Sequence, residues 1–142
     1  MKQSLIDAIG GVAAMERVHT KFYDKVYAHA WLGPFFEGYS QKLIELRQTQ
    51  FMARKMGAKQ MYPVKDLDVV HHRMYITEEL LLVREVLLRE TIEEEGISSN
   101  LVARWLKIDR AFWSRVKKGT LDEFQQSDLK GELPLIIEKP KD

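Results

Sequence analysis

Helical periodicity runs through almost the whole chain and constrains the fold more than any other feature. Apolar residues recur at steps of three and four, which places them on one face of a helix, and alternating strand patterns are nearly absent. A short helix reads from Ser4 to about Ile9, and Gly10-Gly11 ends it. A second runs from about Ala13 to His29, with Val18, Phe22, Val26 and Ala30 at i+4 steps and Tyr23 and Tyr27 beside that stripe. Gly33-Pro34 breaks the chain before Phe35-Phe36 and Gly38, and two large aromatics in so short a connection belong in a core rather than in water. A third helix starts near Ser40, a good N-cap, carries Leu43, Ile44, Arg47, Gln48 and Phe51, and ends near Gly57. After a loop with Tyr62 and Pro63, the spacing of Leu67, Val70, His71 and Met74 predicts a short helix. Thr77 caps the next helix, and Glu78 and Glu79 sit in its first turn, where the helix dipole favours carboxylates. Leu80, Leu81, Val83, Leu87 and Leu88 surround that helix, which predicts burial on several sides, and Gly96 closes it. The last long helix opens at Ser98 or Ser99 and puts Leu101, Trp105, Ile108, Phe112 and Val116 on one face. About six helices give an all-α domain over residues 1–119. Residues 120–142 read as a C-terminal tail, with a helical hint at Leu121–Phe124 and an extended apolar piece at Leu133–Ile137.

Composition narrows the function. At 142 residues the chain fits one domain, large enough to bury a real core. A net charge of +1 directs no strong field at nucleic acid or an anionic membrane. The absence of cysteine excludes disulfide scaffolds, thiolate zinc sites, thiol catalysis and iron–sulfur clusters. No apolar run approaches the roughly 18 residues of a membrane span, and Met1–Asp7 has no signal-peptide h-region, so a cytoplasmic location is expected. A Gly-rich phosphate loop, a nucleophile elbow and a basic stripe are all missing.

Few residues stand out chemically. The four histidines are His19, His29, His71 and His72, and no two form a zinc-type i, i+4 pair. His19 and His29 are expected on or near the surface of the second helix. His71 falls inside the apolar stripe Leu67-Val70-Met74. The pattern fits a core histidine held by a hydrogen bond more readily than a metal ligand. His72 points about 100° away around the helix, so only one of the two can face an apolar interior. Gln48 shares a face with Ile44 and Phe51, and Tyr23 borders a core stripe. A buried glutamine is costly unless its amide finds partners. A Tyr–Gln hydrogen bond in an ordinary core and a pair of donors aimed at a small ligand both fit the periodicity. Glu93-Glu94-Glu95 reads as a solvated helix end, and Trp105, Phe112 and Trp113 as core or partly exposed aromatics.

Taken in order, these motifs resemble the truncated hemoglobins, most closely their group I. The resemblance rests on Gly10-Gly11 after the first helix, Phe22-Tyr23 in the second, Pro34-Phe35-Phe36-Glu37-Gly38 at the corner and Gln48-Thr49-Gln50-Phe51 in the third. It continues with Val70-His71 followed by Ile76-Thr77, and with two closing helices joined at Gly96-Ile97. It spans about Leu5 to Val116, roughly four-fifths of the chain. Each motif alone is weak, and their order and register carry the match. The resemblance implies a two-over-two helical sandwich around heme b, a shortened globin. His71 would ligate the iron, since the spacing to Ile76-Thr77 selects it over His72. Phe36 would wedge against the porphyrin, Ile44 would occupy the apolar distal position, and Phe51, Leu67 and Met74 would line the pocket. Arg47, helped by Tyr62, would meet a propionate. Tyr23 and Gln48 would be the distal donors, worth about 1.5–3 kcal/mol per charge-assisted bond to a partly anionic O₂ and less to CO.

Three departures qualify this picture. Met56-Gly57-Ala58 stands where group I has a glycine pair, and Arg47 stands where some relatives place a sixth-ligand histidine. The last helix holds no histidine for covalent heme attachment. The implied function is binding of O₂, NO and CO, with NO and bound O₂ converted to nitrate by way of a reductase. The competing reading is a gas or redox sensor or an O₂ reservoir without turnover. A peroxidase role suits Tyr23 poorly, since a phenol's reference pKa is near 10.

Overall fold

In the computed structural model, residues 3–59 and 71–141 are described. Four longer helices make two pairs, and α2 holds them together. Helix α1 (Leu5–Ala8) is one turn, capped by the Ser4 hydroxyl, which accepts from the Asp7 amide at 3.3 Å. Gly10 and Gly11 follow with φ of 110° and 84°, values a side chain would strain, and the chain enters α2 (Gly11–Ala28). The expected start near Ala13 is thus two residues late, because the glycines themselves form the entry. A short 3₁₀ turn (Gly33–Phe36) buries Phe35, as the paired aromatics predict. Helix α3 (Gln41–Lys55) opens at Ser40, whose hydroxyl accepts from the Leu43 amide. Helix α4 (Glu78–Glu94) opens at Thr77, whose hydroxyl accepts from the Leu80 amide. Both caps are the ones the sequence predicts, since a cap needs only its own first turn.

Helix α2 packs along α3 and crosses α4, which in turn packs on α5 (Ser99–Arg110). The pairs α2 with α3 and α4 with α5 give the two-over-two arrangement that the resemblance implies. The core joins Met15, Val18, Phe22, Val26, Met52, Leu88, Ile92 and Trp105. The final helix is not continuous as expected. It stops at Arg110 and restarts as α6 (Trp113–Val116), which leaves Phe112 and Trp113 partly buried. Helix α4 is not buried on several sides either. Leu82 and Val86 are 43% and 49% exposed, because α2 and α5 cover only one side of it. The acidic run Glu93–Glu95 is less free than a solvated end: Glu95 pairs with Arg17 and Lys21, and Glu94 with Lys25, which pins the end of α4 to α2. Among the described residues, no helix is long and apolar enough to cross a membrane.

The tail has a place in the fold. Helix α7 (Leu121–Gln125) is capped by Thr120 and buries Phe124. The chain then returns along residues 71–76. The Leu135 amide donates to the Arg73 carbonyl at 2.7 Å, the Tyr75 amide donates to the Leu135 carbonyl at 2.9 Å, and the Lys118 amide donates to the Ile76 carbonyl at 2.8 Å. Further on, the Trp31 indole donates to the Ile137 carbonyl at 3.0 Å. Leu133 itself is 80% exposed, so only the Leu135–Ile137 part of the apolar piece packs.

Candidate functional site

Tyr23 stands on α2 one residue after Phe22, and both are buried. Its ring meets Phe22 edge-on with centroids 4.9 Å apart, and Phe36 from the 3₁₀ turn at 6.0 Å. Burial raises the Tyr23 pKa to about 12; the Arg84 charge opposes that rise, Asp109 reinforces it, and a hydrogen bond from Arg84 again opposes it. The phenol therefore stays protonated and can donate. Gln48 lies half-buried on α3, and among the described residues no hydrogen bond joins it to Tyr23. The Tyr–Gln core bond allowed by the periodicity is thus not formed.

The other residues singled out in the sequence divide clearly. Phe36, Ile44, Phe51 and Met74 are partly buried and packed against the core cluster. Phe51 is edge-on to Phe112 at 4.9 Å. Arg47 is exposed, on the same helix as Gln48. His71 is half-buried, and its carbonyl accepts from Lys118 Nζ at 2.9 Å and from the Met74 amide at 3.0 Å. The His72 Nε2 donates to the Asp128 carbonyl at 2.9 Å, which commits that ring to the tail. Tyr62 and Leu67 lie outside the described residues.

His19 corrects an expectation. It is not on the surface but 1% exposed. Its Nδ1 shares a hydrogen bond of 2.6 Å with Thr49 Oγ1 on α3, and its ring meets Trp105 edge-on at 5.9 Å. Burial, helped by the Arg84 charge, lowers its pKa to about 3, so it is neutral at ordinary pH. The signal was present in the sequence. Met15, His19 and Tyr23 form an i, i+4, i+8 row beside the Val18-Phe22-Val26 row. His29 does lie near the surface, half-buried at the end of α2, where its Nδ1 accepts from the Trp31 and Leu32 amides.

The sequence reading also missed the charged pairs between α4 and α5. Arg84 Nη1 donates to Asp109 Oδ2 at 2.7 Å. One residue on, Arg110 grips Glu85 with two bonds of 2.6 and 2.7 Å. Burial alone would lower the Arg84 pKa, but the Asp109 charge, with Tyr23 and hydrogen bonds to both partners, holds it above its usual value. Arg84 lies four residues after Leu80 and four before Leu88, so its place on an inner row could have been read from spacing. Its partner could not.

The residues singled out include a neutral phenol on Tyr23, an amide on Gln48 and an imidazole on His71. That donor set suits heme, which needs an imidazole on the iron and apolar contact on both faces. Among the described residues, no cluster of His, Cys, Asp or Glu could hold a bare metal ion. Residues 4–108 match the sequence profile of the bacterial-like globins. The chain is 29% identical over 103 residues to the Group 1 truncated hemoglobin GlbN of Mycolicibacterium paratuberculosis, covering 72% of this chain and 76% of that protein. Its fold is similar to that of the truncated hemoglobin of Tetrahymena pyriformis in its Fe(III) form, with a TM-score of 0.77 at 21% identity over 82% of this chain and all of that one. The group II truncated hemoglobin of Bacillus anthracis follows, with a TM-score of 0.73 at 18% identity over 87% of this chain and 98% of that one. The two-over-two fold and a profile match across most of the chain agree: the protein belongs to the bacterial-like globin family, and heme and gas binding follow from that membership.

Proposed function

We propose that the chain holds heme b with His71 as its iron ligand and binds O₂, NO and CO, using Tyr23 and Gln48 as donors to the ligand. The observation that carries this reading is that Tyr23 and Gln48 are not bonded to each other among the described residues, although both lie in or near the core. The buried Tyr23 phenol and the half-buried Gln48 amide thus serve a ligand rather than each other. His71 is favoured over His72 by its spacing to Ile76-Thr77 and by its place on the apolar stripe with Met74. Phe36, Ile44, Phe51 and Met74 would pack against the macrocycle, and Arg47 would pair with a propionate. The heme supplies the iron that binds a diatomic ligand. The chain's own groups select among ligands: a protonated phenol and an amide favour a partly anionic molecule such as O₂ over CO.

The reaction that fits these parts is conversion of NO and O₂, with one electron from a reductase, to nitrate. A second reading is a gas or redox sensor. It is favoured by the tail's hold on residues 71–76, which would couple the iron ligand to a peptide able to meet a partner. Titration of hemin into the wild-type, His71→Ala and His72→Ala proteins tests the site. One hemin per chain is expected, with a Soret band that shifts on reduction and again with CO. His71→Ala should abolish that band pattern and His72→Ala should keep it; the reverse would overturn the assignment. Stoichiometric nitrate on mixing the oxygenated protein with NO would select catalysis, and its absence would select sensing or storage.

A further inference from the structure

Arg84 lies on the inner row of α4. Leu80, Arg84, Leu88 and Ile92 follow at i+4 steps, and the three apolar members are buried. A guanidinium cannot shed its charge, so on such a row it needs a counter-charge or water to meet it. Asp109 provides it: the carboxylate is 7% exposed and accepts from Arg84 at 2.7 Å and from the Trp113 indole at 3.3 Å on the same oxygen. The guanidinium carbon sits 5.3 Å from the centre of the Phe22 ring, and Phe22 packs edge-on against Tyr23. Cation, ring and phenol thus form one packed cluster with the carboxylate behind it.

The chemistry of the pair is directional. A guanidinium has donors and no acceptor. Toward such a group the Tyr23 oxygen can only accept, which leaves the phenol's own hydrogen for another acceptor. Among the described residues, no side chain accepts it. A ligand bound beside Tyr23 is an acceptor for it, and such a ligand would sense the cation behind the phenol.

We propose that Arg84 is a specificity-determining residue of the ligand site: backed by Asp109, it turns the Tyr23 hydroxyl toward the ligand and biases the site toward ligands that carry negative charge. This rests on the heme reading above. The alternative role is a structural tie between α4 and α5 with no effect on ligands.

The test uses the full chain loaded with hemin. Azide is titrated into the ferric form and CO into the ferrous form, for wild type, Arg84→Met and Arg84→Lys. Methionine keeps an unbranched stem and removes the charge. The expected result for Arg84→Met is unchanged hemin stoichiometry, azide affinity weaker by at least about tenfold, and CO affinity within about twofold. The C–O stretching band should move to higher frequency, because a positive potential beside the ligand has been lost. Arg84→Lys, which keeps a charge without the fork, should fall between the two. An unchanged azide-to-CO ratio with an unmoved C–O band in Arg84→Met overturns the proposal and leaves the structural tie. Should Arg84→Met fail to fold, Arg84→Lys decides: a shifted C–O band supports the assignment, and a band identical to wild type overturns it. A wild-type chain that takes up no hemin sinks the heme reading and this proposal with it. Normal uptake with insensitive ligands sinks only the role of Arg84.

Discussion

Acid should expose the burial of His19. The imidazole is 1% exposed and its pKa falls from 6.5 to about 3, chiefly through desolvation. In the unfolded chain it regains its ordinary value, so below pH 6.5 the unfolded state binds a proton that the folded state refuses. Stability then falls as pH falls, by about 1.4 kcal/mol per unit, until the folded pKa is reached. From pH 7.5 to pH 5 this one residue should remove about 2 kcal/mol of unfolding free energy. Other groups titrate over the same range, so the useful quantity is a difference between two proteins. His19→Gln keeps a polar group for Thr49 Oγ1, bonded at 2.6 Å in the wild type, and does not titrate. Urea unfolding of the heme-free wild-type and variant proteins at pH 7.5, 6 and 5 should show the variant losing about 2 kcal/mol less across the range. The variant starts lower at pH 7.5, because an amide does not fill the space beside Trp105. Parallel stability curves, or a His19 resonance titrating near 6.5, would refute the reasoning.

Two further outcomes follow from the packing. Truncation after Gly131 removes the Leu135 carbonyl that accepts from the Tyr75 amide at 2.9 Å, so hydrogen exchange at Tyr75 should speed up by about tenfold while the centre of α2 stays protected; unchanged exchange at Tyr75 would show that the tail does not hold this segment. At Gly33 an added Cβ would lie 2.6 Å from the Tyr27 carbonyl oxygen, which is backbone and cannot swing aside, so Gly33→Ala should cost about 1–3 kcal/mol in a thermal melt, and a melting temperature equal to wild type would mean that the turn relaxes freely.

Local features of the chain were legible because their causes are local. Ser40 and Thr77 cap helices through amides three residues away, and Phe35 is buried in its short turn as the aromatic pair implies. The i+4 rows of α2 and α4 show which faces turn inward, and read fully they also place His19 and Arg84 on those faces. Spacing along one helix cannot say which helix comes opposite. Leu82 and Val86 have the same apolar character as Leu81 and Leu88, yet they remain exposed because no described helix covers that side of α4. The break between Arg110 and Trp113 carries no proline or glycine to announce it.

Helix content, caps and the ordered run of Tyr23, Gln48 and His71 were therefore determined by the sequence alone, since propensity, capping and spacing act over one or two turns. Only the tertiary structure decided that His19 is neutral against Thr49, that Arg84 meets Asp109 rather than solvent, and that the tail returns to residues 71–76. Each of these joins residues 25 or more positions apart, and no periodicity encodes the partner. What selects it is the cost of burying a polar group unpaired, which the folded chain meets only after its helices have packed.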